Sequence, residues 1–171
     1  MLEGIGVECA LVKGISDLDS IDALVLPGGE STTMGRLLTR FSLLEPIRER
    51  LSDGMPAFGT CAGLIMLAKQ NDDPLQFRLS VLDIDVDRNA YGRQVESFEA
   101  DLDIPAIPGG RFRGVFIRAP IVRRAGNHIE ILGRFENSPI LIRQHHILAA
   151  SFHPELTTDP RVHELFLKTC M

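Results

Sequence analysis

The sequence predicts a three-layer α/β fold: an open, mostly parallel sheet with antiparallel strands added in its second half. Three observations predict it. Residues 23–26 (Ala-Leu-Val-Leu) form an uninterrupted apolar run stopped by Pro27-Gly28-Gly29, as in a short strand buried on both faces. A second short strand at 56–59 leads into small residues at 59–63, and each strand is followed by apolar residues at helical spacing. That β–α–β–α order implies parallel pairing with helices on both faces of the sheet. Beyond residue 80 the pattern changes to period two, Val81-Leu82-Asp83-Ile84-Asp85-Val86-Asp87, which fits a strand with one wet face.

Residues 7–12 read as a short strand and 17–22 as a polar connection to the strand at 23–26. Ser31, Thr32 and Thr33 supply capping hydroxyls for a helix whose apolar face is Met34, Leu37, Leu38, Phe41 and Leu44. Pro46 suits the first turn of a second helical piece, 47–51, and 62–69 reads as the helix after the strand at 56–59. Further strands are expected at 95–98, 114–117, 129–135, 140–143 and 147–151, punctuated by prolines and glycines, and an amphipathic helix at 160–170 closes the chain. No linker divides the sequence, so 1–171 is expected to be a single domain.

Composition narrows the class. With 171 residues, 44% of them hydrophobic and 24% charged, the chain has the make-up of a soluble globular domain. A net charge of −5 argues against nucleic acid or an anionic membrane as partner. No apolar run is long enough to span a bilayer and no signal pattern opens the chain. Cys9, Cys61 and Cys170 are widely spaced without a CxxC pair, which fits a reducing cytoplasm and no structural zinc.

Three turns carry the chemistry. Cys61 sits in Phe58-Gly59-Thr60-Cys61-Ala62-Gly63, between strand and helix, where small neighbours permit the sharp turn that pushes a nucleophile out of a sheet. The Ala62 N–H, at the start of the helix, is placed for the oxyanion formed when sulfur attacks a carbonyl. His153 and Glu155 follow the apolar strand at 147–151; an imidazole serves as base and acid, and a carboxylate two residues on orients it. The Pro27-Gly28-Gly29-Glu30-Ser31 turn exposes backbone N–H groups suited to an anion and lacks the lysine of a nucleotide-binding loop. Each turn has a plainer reading when taken alone. Cys61 then fills a strand–helix gap, His-Pro-Glu is a surface turn, and Gly28-Gly29 is a tight connection. His145 and His146 are rival bases without a following carboxylate. Jointly, all three turns follow apolar strands and converge at the carboxyl edge of a parallel sheet, where such folds place their sites.

Together LPGGESTT (26–33), FGTCAG (58–63) and SFHPE (151–155) resemble the loops of class I glutamine amidotransferases, a flavodoxin-like fold. GGESTT, the RNAYGRQ segment at 88–94 and Val115-Phe116-Ile117-Arg118-Ala119-Pro120 narrow the resemblance to the glutaminase subunits of pyridoxal 5′-phosphate synthase, from about residue 5 to the C-terminus. The resemblance implies L-glutamine as substrate and Cys61, His153 and Glu155 as the catalytic triad. It implies Gly29, Glu30, Ser31, Arg88, Ile117 and Arg118 as substrate contacts, with the Gly29 and Ala62 N–H groups facing the oxyanion. It further implies no metal or cofactor, and ammonia delivered to a (β/α)8-barrel synthase subunit within a large hetero-oligomer. Arg88 and Arg118 suit a carboxylate by their fork geometry, although a lone arginine as often makes a structural ion pair.

Family members begin with a further strand and a Leu-Gln-Gly loop, whereas this sequence opens inside the family's first helix. The natural chain is accordingly expected to be longer. Three alternatives stay open at this stage: a glutaminase serving another synthase, a non-catalytic binding module on the same fold, and a cysteine peptidase.

Overall fold

The computed structural model describes residues 1–73, 75–88 and 97–170. In chain order it forms α1 (Ile15–Leu18), β1 (Leu24–Leu26), α2 (Ser31–Arg40), α3 (Leu44–Ser52), β2 (Ala57–Thr60), α4 (Ala62–Leu67) and β3 (Ala68–Asn71). Next come β4 (Leu82–Asp87), β5 (Ser97–Leu102), β6 (Phe112–Ile117), β7 (Ile121–Ala125), β8 (Glu130–Phe135), β9 (Ser138–Gln144), β10 (Ile147–Ala150) and α5 (Arg161–Thr169).

The central sheet has the order β1-β2-β10-β9-β8. Its first half is parallel, β1 with β2 and β2 with β10; its second half is antiparallel. All residues of β2 and β10 are buried, as continuous apolar runs covered on both faces require. On one face Ala57, Ile147 and Ala149 join Leu44, Ile47, Leu51, Leu64 and Met66 from α3 and α4. On the other, Phe58, Leu148 and Phe152 pack with Val162 and Phe166 of α5 and with Phe112 and Phe116 of β6. The result is a three-layer α/β fold with a mixed sheet. A separate sheet, β3-β4-β7, and the β5-β6 pair complete it.

Several local expectations are corrected. Residues 7–12 form no strand and Leu11 is 78% exposed; a mostly apolar run makes a strand only where a neighbour takes its backbone hydrogen bonds. The connection at 17–22 begins with a helical turn, because Asp17 Oδ2 accepts the N–H groups of Lys13 (2.8 Å) and Gly14 (3.0 Å). The cap of α2 is Glu30 and not a hydroxyl: its carboxylate accepts from Thr32 N (2.9 Å) and Thr33 N (2.7 Å). The helix after β2 stops at Leu67, since 68–71 pairs with β4 as β3. Strand β7 was not foreseen; it sets Arg124 opposite Asp85. Of the RNAYGRQ segment, Arg88 is described and 89–94 lies outside the described residues, as do 95 and 96 of the expected strand at 95–98. No helix among the described residues is long and apolar enough to cross a membrane.

Candidate active site

β2 ends at Thr60 and α4 begins at Ala62, leaving one residue to reverse the chain. That residue, Cys61, stands at φ 49° and ψ −101°, a backbone conformation that side-chain-bearing residues rarely adopt. The glycines around it let the turn close. A Cβ on Gly63 would lie 1.9 Å from the Leu26 carbonyl oxygen, and one on Gly59 would lie 2.6 Å from Leu67 Cδ1. Helix α4 therefore rests directly on the backbone of β1. The Cys61 N–H donates to the Ala150 carbonyl of β10 (2.9 Å), and the Sγ lies 3.8 Å from the Ile117 carbonyl oxygen.

His153 follows β10 and is fixed from three sides. Its N–H donates to the Val115 carbonyl of β6 (2.8 Å), and its Nδ1 lies 2.8 Å from Glu155 Oε1. Its ring lies against the turn after β1, where a Cβ on Gly28 would come within 2.2 Å of Cε1. Hydrogen bonding to the Cys61 sulfur first, and then to the Glu155 carboxylate, raises the imidazole from its ordinary 6.5 to about 9, although burial pulls the other way. Burial opposes ionisation of Glu155 as well, but hydrogen bonds from His153 and from its own backbone N–H outweigh it and hold this carboxyl below its ordinary value. Behind Glu155 stands His163, edge-on to Phe58 and 5% exposed, its pKa lowered by burial. The rival histidines fall at the opposite end of β10, where His146 Nε2 lies 3.0 Å from the Leu51 carbonyl oxygen.

These groups open onto a cavity of about 330 Å³. Gly29, Glu30 and Ser31 line it from the turn after β1, Cys61 and Ile65 from the elbow and α4, Arg88 from the end of β4, Ile117 and Arg118 from the end of β6, and His153 from the end of β10. The expected contacts thus converge on one cavity; Ala62 and Glu155 are not among the residues that line it, and Glu155 reaches it only through His153. Glu30 is held as a carboxylate: the Thr33 hydroxyl (2.6 Å) foremost, with the Thr32 and Thr33 N–H groups, lowers its pKa to about 2, although burial pulls the other way. Arg118 is exposed at φ 42°. Sequence reasoning did not single out Ile65 or Gly28. Ile65 reads only as core; Gly28 was legible as one of a glycine pair, but not as the seat of the His153 ring.

Comparison with known proteins fits this arrangement. A model of the SNO glutamine amidotransferase family matches residues 1–171. The chain belongs to that family. It is 52% identical over 171 residues to the pyridoxal 5′-phosphate synthase subunit PdxT of Pelotomaculum thermopropionicum, covering 100% of this chain and 87% of that one. It is likewise 52% identical over 169 residues to the PdxT subunit of Thermus thermophilus, covering 98% and 87%. A crystal structure of a glutamine amidotransferase superimposes with a TM-score of 0.94 at 48% identity, covering 99% of this chain and 89% of that one. A putative GMP synthase subunit from Thermoplasma acidophilum, 19% identical with a TM-score of 0.69, shares the fold.

Proposed function

We propose that this chain is the glutaminase of a pyridoxal 5′-phosphate synthase, hydrolysing L-glutamine with Cys61 as nucleophile, His153 as acid and base, and Glu155 as its orienting partner. The observation that carries this is the line from Glu155 Oε1 through His153 to Cys61, opening onto a cavity with a fixed anion, Glu30, and two arginines. Free glutamine is a zwitterion. Glu30 suits its α-ammonium group and Arg88 and Arg118 suit its α-carboxylate, with Gly29, Ser31 and Ile117 completing the contacts and the side-chain amide directed at Cys61. The 171 residues act as one glutaminase domain.

The Cys61 sulfur attacks the amide carbon, and the oxyanion is met by the N–H groups of Gly29 and Ala62. With its pKa near 9, His153 carries a proton at neutral pH and delivers it to the departing ammonia. A γ-glutamyl thioester remains on Cys61. Acylation removes the free sulfur, the largest contributor to the raised pKa of His153, so the ring, its proton already given to ammonia, stays neutral more readily in the thioester. It is then the base that activates water, and glutamate leaves. The partner that receives the ammonia is a (β/α)8-barrel synthase subunit in a hetero-oligomer, and docking speeds the reaction.

The test is glutamate and ammonia formation from L-glutamine, with and without the barrel subunit. Cys61→Ala should lower the rate at least about a thousandfold, and the free chain should be slower than the complex. Retained binding to the barrel subunit without Cys61-dependent glutamate in either condition would overturn this reading in favour of a non-catalytic module.

A further inference from the structure

We propose that Gln76, Asp72 and Asp73 are positioning residues for Arg88, so that this arginine offers the substrate one N–H and not a two-pronged fork. The inference rests on the glutaminase reading above, and it concerns a cluster to which that reading assigns nothing. Arg88 Nε donates to Asp72 Oδ1 (3.0 Å), Nη1 to Thr32 Oγ1 (3.2 Å) and Gln76 Oε1 (3.2 Å), and Nη2 to Asp73 Oδ2 (3.4 Å). A guanidinium has five N–H donors. Among the described residues four are engaged, and the fifth, on Nη2, has no partner there and is the one offered to a ligand.

The acceptors are themselves held. Gln76 is 6% exposed; its Oε1 also accepts from Asn71 Nδ2 (2.8 Å), and its Nε2 reaches Met66 Sδ on α4 (4.0 Å). Asn71 Oδ1 accepts from Asp73 N (2.9 Å) and from Arg78 Nη1 (2.7 Å). Acceptors held on more than one side in this way keep their place, and they fix the guanidinium that donates to them. The chain of contacts runs from α4, which starts at the nucleophile, through Gln76 and Arg88 to Thr32 in the first turn of α2, which Glu30 caps.

Charge explains why two carboxylates are used. Arg88 lines the same cavity as the ionised Glu30, and an unrestrained guanidinium would pair with that carboxylate and occupy the place of the substrate's ammonium group. Asp72 and Asp73, with side chains 41% and 32% exposed, take two of the arginine's donors and so compete with Glu30 for it. Among the described residues Arg88 makes no ion pair with Glu30, and its carboxylate partners are Asp72 and Asp73.

The experiment uses the complex with its synthase subunit and follows steady-state glutamate formation from L-glutamine. In Asp72→Ala/Asp73→Ala the KM should rise about tenfold with kcat changed less than about twofold, the signature of lost uniform binding. The same pair of substitutions placed in Arg88→Ala should add nothing further, because the effect passes through Arg88. Gln76→Leu should raise KM as the aspartate pair does, and Gln76→Glu, which keeps an acceptor for both donors, should restore it; thermal melting identifies any variant that has not folded, and the aspartate pair, at the surface, then decides. An unchanged KM, or an equal proportional rise with and without Arg88, overturns the proposal. If wild type forms no Cys61-dependent glutamate, the glutaminase reading itself fails; if wild type is active and only the cycle is additive, the failure belongs to the Arg88 cluster alone.

Discussion

Two regions of this molecule are dense in charged side chains, the carboxyl ends of β1, β2 and β10 and the outer face of β4 and β7, and they are built on opposite terms. On the outer face Arg124 bridges Asp83 (2.8 Å) and Asp85 (2.8 Å), Arg123 meets Asp87, and all of these side chains stand about a third to a half in solvent. Such pairs are screened and interchangeable. At the sheet edge His153 is 9% exposed, Cys61 is 7% exposed, and the backbone around them tolerates no added carbon at Gly28, Gly59 or Gly63. The number of ion pairs therefore says little about where chemistry is done. Burial, close backbone contact and one strained residue say more.

The comparison breaks most visibly if a single methyl group is added at the sheet edge. Gly28→Ala places a Cβ against the His153 ring; with His153 as the proposed base, displacing it by about an ångström should lower kcat on the order of a hundredfold, measured as glutamate formed by the complex. Activity within about twofold of wild type would show that the ring finds another seat without loss.

A second effect, smaller and graded, is pH dependence. Because the folded protein raises the pKa of His153 from 6.5 to about 9, the proton is held more tightly folded than unfolded. Its stabilisation is therefore full below pH 6.5 and is lost as pH rises through about 9. The gap in urea midpoint between wild type and His153→Ala should be widest and flat on the acid side and narrow across that window; a gap that widens with pH contradicts the assignment. The smallest effect belongs to the outer face. Arg124→Gln should leave kcat and KM for glutamine unchanged within about twofold and move the melting midpoint little, and a large loss of activity would mean the two regions are coupled.

Much of this was legible in the residues. The buried strands announced themselves as apolar runs closed by Pro-Gly-Gly or Gly-Thr-Cys, and the three turns that follow β1, β2 and β10 hold most of the site. What escaped was everything that depends on a partner distant in sequence. Residues 7–12 read as a short strand but pair with no strand among the described residues, whereas 121–125 became a strand because the edge of β4 takes its backbone hydrogen bonds. Glu30 was read as a substrate contact, yet it also caps α2; a carboxylate two and three residues before free N–H groups was visible, but the neighbouring hydroxyls were the more familiar cap. Arg88 gave no sign of being so fully engaged, because Asp72, Asp73 and Gln76 reach it only after the chain has folded back.

The left-handed backbone at Cys61 carries a consequence for the history of such a chain. Holding a residue other than glycine in that conformation costs on the order of 1–3 kcal/mol, a sizeable share of the stability of a domain this size. With Cys61 as the proposed nucleophile, activity and durability pull in opposite directions at this one position. A lineage released from the need for ammonia would drift there toward glycine, becoming hardier as it fell silent.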